Sequence, residues 1–196
     1  CFRIDRQARS RLFPRQAISL MAPVGLTLWI LFLVGATQNA VTLFLPLLLQ
    51  IVHGVTPLFI SFVTIVISAG WTVGTFGVSS WTGLKERLAL LVGPPFMLAG
   101  LAIITLTAEA PLLWMLTAGA FLLGLGIGTH NVHMVARTMA GAERGEERIT
   151  ASATTSMRTL GSAFGAAMAG MLATIGGLTD VTQAAVAIEW VKPVPL

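Results

Sequence analysis

The chain has 196 residues, of which 55 % are hydrophobic and only 10 % are charged, and its formal net charge is +4. A soluble domain has about 25 % charged residues, so this composition excludes an ordinary water-soluble domain. The Lys and Arg residues are gathered in particular connecting segments, a distribution that does not favour nucleic-acid binding. The single cysteine, Cys1, excludes an internal disulfide. Because the chain starts Cys1-Phe2-Arg3, we expect it to be a piece of a longer protein.

Five apolar stretches follow one another along the chain, and each is long enough for a membrane helix, which needs roughly 20 apolar residues. They cover residues 21–50, 57–81, 88–107, 111–136 and 151–178. Pro46 is predicted to kink the first stretch near its end. Brief connections make neighbouring helices antiparallel, and only the connection 137–150 is predicted to be longer. The sequence therefore predicts an all-α fold, a polytopic membrane helical bundle.

The connections alternate between cation-rich and cation-free, which predicts an orientation because Lys and Arg accumulate in cytoplasmic loops. The connections directly after the first and third stretches contain no Lys or Arg. Ten lie before the first stretch and after the second and fourth: Arg3, Arg6, Arg9, Arg11, Arg15, Lys85, Arg87, Arg137, Arg144 and Arg148. We therefore predict a cytoplasmic basic segment at 1–20, a five-span bundle at 21–178 and an extracytoplasmic tail at 179–196, the remnant of a final helix. The expected location is the inner or plasma membrane.

Pairs of glycines four residues apart recur in three of the stretches. Such a pair opens a groove on one helix face, where the backbone of a neighbouring helix can approach closely. Two interpretations remain open, namely tight packing of the bundle and a sliding surface between helices that move during transport. The pairs are Gly70 and Gly74, Gly124 and Gly128, and Gly161 and Gly165.

Polar side chains lie near the middle of the first stretch, where they are costly in lipid and usually face protein or a water-filled cavity. Gln38 and Asn39 are followed by Thr42, which lies on the same side of the helix at i+4 and i+3. One interpretation is interhelical hydrogen bonding that holds the bundle together. The other is a cavity face that contacts a substrate, since an amide offers both donors and an acceptor.

Two histidines, His130 and His133, share one face near the end of the fourth stretch, with Arg137 four residues further on. Three roles are open: a metal pair, a pH-sensitive gate, and an interfacial anchor or hydrogen-bonded core residue. The metal pair is the weakest because no acidic or Cys partner lies nearby, and we predict no metal site. His53, in an outer connection, is expected to be solvated.

Arg158 is the most informative single charge. If Thr150 or Ser152 caps the start of the fifth stretch, Arg158 lies about two turns inside the helix. It either extends to the cytoplasmic interface or pairs with helix carbonyls or with a carboxylate outside this chain. None of the five stretches contains Asp or Glu, so a carboxylate for proton coupling is expected elsewhere in the protein.

Two motifs resemble the multidrug:proton antiporter branch of the major facilitator superfamily. The segment Leu45-Pro46-Leu47-Leu48-Leu49-Gln50, with Gly54 and Thr56-Pro57, resembles the end of the first helix of that family's C-terminal half. The segment Ala151-Ser152-Ala153…Arg158…Gly161…Gly165-Ala166-Ala167 resembles its eleventh helix, and Gly124-Leu125-Gly126-Ile127-Gly128 is similar to the preceding helix. The resemblance covers residues 20–178 and implies an incomplete six-helix half of such a transporter.

The function implied by this resemblance is export of small amphipathic molecules by alternating access, coupled to protons in the intact protein. It places Gln38, Asn39, Thr42 and Arg158 toward the central cavity. The implied partners are the lipid bilayer, a small-molecule substrate, protons and the N-terminal half of the same transporter, with no cofactor and no enzymatic activity. The alternative is a non-transporting scaffold or degenerate remnant, favoured by the reduced loop motif at 82–87.

Overall fold

The structure is a computed structural model, and it describes residues 13–14, 17 and 19–175. The described part is all helical, which confirms the predicted all-α membrane bundle. Each predicted stretch corresponds to one helix, and the bounds agree within a few residues. Residues 1–12, 15–16, 18 and 176–196 lie outside the described residues, and with them five of the ten cations and the whole predicted tail at 179–196. The helices are α1 Pro23–His53, α2 Pro57–Val78, α3 Leu84–Leu106, α4 Leu113–Ala140 and α5 Glu147–Ile175.

The sequence at the first turn explains why α1 and α2 are separate helices. Gly54 adopts a left-handed φ of 59°, a conformation that favours glycine, and its N–H donates to the Gln50 carbonyl at 3.1 Å. Pro57 then begins α2, where its missing N–H costs nothing. Within α1, by contrast, the helix continues through Pro46 as a single element.

Helices α1 to α4 are each long and apolar enough to cross a membrane. Their outer faces expose large apolar side chains, among them Leu58, Phe76, Leu106 and Trp114. Exposed apolar surface of this size would promote aggregation in water, but it is suited to contact with lipid. Helix α5 is long enough but less apolar, because Thr, Ser and Arg158 fill its first half.

Helix α4 forms the centre of the bundle and packs against α3 on one side and α2 on another. Contacts of Gly93 with Gly126, and of Gly100 with Gly119, show that α3 and α4 run antiparallel. Helix α2 runs parallel to α4, and α1 forms a second parallel pair with α5. This alternation of direction is what a chain crossing a membrane at every helix produces, and it carries α5 alongside α1.

An apolar core joins the helices. Its larger part lies between α1, α2, α3 and α4, and its completely or almost completely buried members include Leu49, Val63, Leu116 and Leu123. A smaller cluster joins the start of α1 to α5 and is centred on Leu28 and Ala153. Because lipid is as apolar as these side chains, close packing is the main gain from burying them here.

Contacts between connections show that alternate loops lie at opposite ends of the bundle. At one end, Glu86 of α3 accepts a hydrogen bond from Arg137 Nε of α4 at 2.6 Å. At the other end, His53 Nε2 donates to the Ala108 carbonyl at 2.8 Å. The expectation that His53 is solvated is therefore wrong, because its half-buried ring joins the first connection to the third.

Two predictions about the start of α5 are also wrong. The helix begins at Glu147, so Thr150 and Ser152 are not caps but lie inside it. Thr150 is fully buried, and the Ser152 hydroxyl donates back to the Ile149 carbonyl. The connection before α5 is reduced to 141–146, which is no longer than the connection 107–112. Arg158 consequently lies roughly three turns inside α5.

Candidate binding crevice in the bundle

A crevice of about 190 Å³ lies between α1 and α2 and extends from Gln38, at the centre of α1, toward Leu49 near the end of that helix. Helix α1 contributes Gln38 and Thr42, and helix α2 contributes Thr64 and Ser68. Apolar residues, including Leu45 and Pro46 of α1, form the rest of its wall. A mostly apolar crevice with a few convergent polar groups is the usual form of a small-molecule site.

The hydroxyl groups of α2 were not singled out from the sequence. Ser61, Thr64, Ser68 and Thr72 follow one another at helical spacing and are all exposed along one face of α2. Each hydroxyl donates to the carbonyl four residues earlier, at 2.8 to 3.1 Å. Their oxygens keep acceptor capacity, so this hydroxyl row can receive hydrogen bonds from a ligand or water. The i, i+3, i+7, i+11 spacing of Ser and Thr is the sequence signal that could have identified this row.

Arg158 joins the polar set from α5. Its Nη2 atom donates to Gln38 Oε1 at 3.3 Å, and the side chain is partly buried. Gln38 is thus shared between Arg158 and the crevice. Gln38 lies in the centre of α1, which runs from Pro23 to His53. Of the two interpretations of Arg158, extension to the cytoplasmic interface therefore does not match the structure, since the guanidinium group lies at the depth of this amide.

Asn39 turns away from the crevice and toward α5. Its Nδ2 atom donates to the Ser162 carbonyl at 2.9 Å, and the Ser162 hydroxyl donates to the Gly35 carbonyl at 3.4 Å. The Thr42 hydroxyl donates to the Gln38 carbonyl at 2.9 Å. The structure therefore separates the three predicted cavity residues: Gln38 and Thr42 line the crevice, while Asn39 joins α1 to α5.

The six predicted glycines all lie at helix–helix contacts. A Cβ atom added at Gly70 or Gly74 would clash with the backbone of α4, and one at Gly124 or Gly128 with the backbone of α2. Gly161 and Gly165 approach the Phe32 and Ala36 carbonyls of α1 in the same way. The two seams, α2–α4 and α1–α5, thus depend on the absence of side chains at these positions.

Both histidines of α4 are buried and use one ring nitrogen in a hydrogen bond to a carbonyl. His130 Nδ1 donates to the Gly126 carbonyl at 2.7 Å, within its own helix. His133 Nε2 donates to the Val78 carbonyl at 2.9 Å and so holds the end of α2. In the part of the chain that the structure describes, neither lies in a group of three residues that could hold a metal ion.

A larger groove of about 650 Å³ lies between α1, α3 and α4, and it is distinct from the crevice. Its wall is almost entirely apolar, formed by side chains such as Leu33, Met97 and Met134, with His130 and Arg137 among its few polar members. It offers apolar surface but few groups that could orient a ligand. We therefore take the crevice, with Arg158, as the candidate site.

Comparison with known proteins gives two distant relatives, from two strains of one organism. The probable multidrug-efflux transporter Rv1634 of Mycobacterium tuberculosis (strain ATCC 25618 / H37Rv) is 30 % identical over 137 residues. The probable multidrug-efflux transporter MT1670 of strain CDC 1551 / Oshkosh gives the same values. The match covers 66 % of this chain but only 29 % of those relatives. No family model matches the chain, and no solved structure matches it significantly. The chain is thus distantly similar to two probable multidrug-efflux transporters and spans less than a third of their length.

Proposed function

We propose that the chain is part of a membrane transporter that exports small amphipathic molecules by alternating access. The observation that carries the proposal is the crevice that begins at the middle of an apolar bundle, where Gln38 and Thr42 of α1 line the same space as Thr64 and Ser68 of α2. Polar groups at that depth are expensive in lipid unless they face a water-filled cavity or a ligand. The likeness to probable multidrug-efflux transporters supports the same conclusion.

The architecture that we propose for the whole protein is that of a major-facilitator-type transporter, with this chain in its C-terminal half. In such transporters the substrate lies near the membrane midplane, between two halves built of repeats. The crevice is open along α1 and α2, so a second half would close it. Protons are the proposed coupling ion, with His130 or His133, or a carboxylate of the other half, as the titrating group.

We propose that the bundle lies in the inner or plasma membrane. The end of the bundle where Glu86 contacts Arg137 would face the cytoplasm. The cations Lys85, Arg87 and Arg144 lie at that same end, which is the arrangement that the positive-inside rule favours. The segment 1–20 would then be cytoplasmic and the tail 179–196 extracytoplasmic.

The experiment that tests the proposed function compares Gln38→Ala with Gln50→Ala in the protein expressed from its complete reading frame. Gln50 is an exposed residue at the end of the same helix, so it is a matched control. Efflux of several amphipathic dyes is measured in cells. Losing one hydrogen bond to a substrate, about 1 kcal/mol, changes its affinity roughly fivefold.

We expect Gln38→Ala to change the relative efflux of the dyes while expression stays near the wild-type level, and Gln50→Ala to change neither. Equal loss of every dye together with lost expression would show that Gln38 is a packing residue. If the wild-type protein moves none of the dyes, a non-transporting scaffold or degenerate remnant becomes the better account.

A further inference from the structure

Arg158 is the only Lys or Arg within residues 19–175 that lies in a helix away from its first and last turns. Lys85, Arg87, Arg137 and Arg148 all lie at helix ends. Arg158 follows the start of α5 by roughly 16 Å along the helix axis. Because α1 and α5 run parallel and Gln38 lies at the centre of α1, this cation is held near the middle of the bundle.

The partner that the structure gives Arg158 is neutral. One of its five N–H donors reaches Gln38 Oε1, and that bond is long at 3.3 Å. A cation at membrane depth is costly unless another charge or a set of acceptors compensates it. A single amide oxygen leaves most of the guanidinium group available to a further acceptor.

No described carboxylate can compensate Arg158 from within the bundle. The acidic residues between 19 and 175 all lie in connections or first helical turns: Glu86, Glu109, Glu143, Glu146 and Glu147. Glu86 is already paired with Arg137 at one end of the bundle. The compensating anion must therefore come from outside the described helices.

The groups around Arg158 are suited to a carboxylate. Arginine presents parallel N–H groups that match the two oxygens of a carboxylate in a bidentate pair. Gln38 contacts Arg158 and also lines the crevice, so the guanidinium group lies next to the crevice wall at Gln38. The apolar part of the crevice wall, including Leu45 and Val63, is suited to the rest of an amphipathic molecule.

We propose that the substrates include amphipathic carboxylic acids, with the carboxylate bound by Arg158 and the apolar body in the crevice. This inference rests on the proposed transport function and names its substrate class. The carboxylate of the substrate would supply the negative charge that Arg158 lacks at the middle of the bundle, where its described partner is the neutral Gln38 amide.

The test uses a matched pair of probes, naphthaleneacetic acid and its neutral amide, naphthaleneacetamide. Movement of each across the membrane is measured in vesicles containing the protein expressed from its complete reading frame. The variants are Arg158→Gln, Arg158→Lys and the control Arg148→Gln, which removes a cation from the exposed first turn of the same helix. The amount of monodisperse protein in detergent is measured for each variant.

The expected result is that the wild-type protein moves both probes and that Arg158→Gln weakens transport of the acid roughly ten- to hundredfold. Transport of the amide should change less than about twofold in the same variant, because the neutral probe forms no charged pair. Transport of the acid by Arg158→Lys should lie between that of the wild-type protein and that of Arg158→Gln, because lysine keeps the charge but lacks the planar pair of donors. If Arg158→Gln does not fold, selective loss of the acid in Arg158→Lys is the deciding result.

Two results would overturn the inference and leave the proposed function standing. One is wild-type transport of the amide but not of the acid. The other is equal loss of both probes in well-folded Arg158 variants, which would assign Arg158 to a carboxylate of the protein itself. Failure of the wild-type protein to move either probe or any amphipathic dye would overturn the proposed function together with this inference.

Discussion

The two parallel seams of the bundle are built on the same glycine spacing but differ in their polar content. In the α2–α4 seam, Gly70 and Gly74 face Gly124 and Gly128 across close backbone contacts. A long hydrogen bond joins Thr75 to the Gly128 carbonyl at 3.4 Å, and His133 bonds the Val78 carbonyl only at the end of α2. In the α1–α5 seam, the contacts at Gly161 and Gly165 are accompanied by the bonds of Arg158, Asn39 and Ser162 to the opposite helix.

This difference in polar content shows that small residues and polar residues contribute to helix association in lipid in two different ways. Glycines let helix backbones approach closely and so supply packing energy, while polar side chains add specific hydrogen bonds between helices. Around the glycines of the α2–α4 seam, packing dominates. In the α1–α5 seam the bond between Arg158 and Gln38 both joins the two helices and lies at the edge of the candidate site, whereas Asn39 and Ser162 only join the helices. We therefore expect the stability of the α2–α4 seam to depend mainly on side-chain volume, and that of the α1–α5 seam on the polar side chains that bond across it.

The largest effect should come from adding volume to the α2–α4 seam. Gly70→Ala places a methyl group against the backbone of α4, and overpacking of this kind costs about 1–3 kcal/mol. Gly77→Ala is the matched control, since nothing lies within 4 Å of the added Cβ atom. Thermal unfolding in detergent, followed by size-exclusion chromatography, should show a lower melting temperature for Gly70→Ala alone. Equal melting temperatures for the two variants would contradict the close α2–α4 contact.

A smaller effect is expected when a polar contact is removed from the α1–α5 seam. Asn39→Leu keeps the volume but removes the bond to the Ser162 carbonyl, and interhelical bonds in membranes average about 0.6 kcal/mol. Thr37→Val is the control because the Thr37 hydroxyl bonds only within α1, to the Leu33 carbonyl. A melting temperature that falls in Asn39→Leu but not in Thr37→Val would support the seam. A rise in Asn39→Leu would show that Asn39 contributes no net stability there.

The smallest effect should come from the ion pair at the loop end of the bundle. Glu86 and Arg137 are 26 % and 44 % exposed, and exposed pairs contribute about 0–1 kcal/mol. Glu86→Gln should therefore shift the melting temperature slightly at low salt and not at all at high salt, because salt screens exposed charges. Glu109→Gln at the opposite end serves as control. A large loss of stability in Glu86→Gln would show that this pair contributes more to the stability of the bundle than an exposed ion pair does.

The sequence predicted the helices well because hydrophobic length is a local property. Each apolar stretch became one helix, and the boundaries moved chiefly where turn chemistry was misread, as at Thr150 and Ser152. Their hydroxyl groups predict helix caps, whereas α5 already begins at Glu147. The α5 start could not be placed from hydrophobicity because its first turn is charged and lies beyond the apolar stretch.

The partners of the polar residues were not predictable from the sequence, because they depend on which helices are neighbours. Gln38 and Asn39 are adjacent in the chain, yet the first reaches Arg158 and the crevice while the second reaches the Ser162 carbonyl. The residues next to His53 in the sequence predict a solvated side chain, because nothing local indicates its contact with the Ala108 carbonyl. The hydroxyl row of α2, in contrast, was visible in the spacing of its Ser and Thr residues and was overlooked.

The alternation of loops between the two ends of the bundle is the claim on which the whole account depends, and cysteine labelling tests it most directly. Single cysteines are placed at the exposed positions Thr56, Lys85, Glu109 and Arg144 in a Cys1→Ser background, and intact cells are treated with a membrane-impermeant maleimide. Thr56→Cys and Glu109→Cys should label from outside, whereas Lys85→Cys and Arg144→Cys should label only after the membrane is permeabilised. Labelling of Thr56→Cys and Lys85→Cys from the same side would contradict the account.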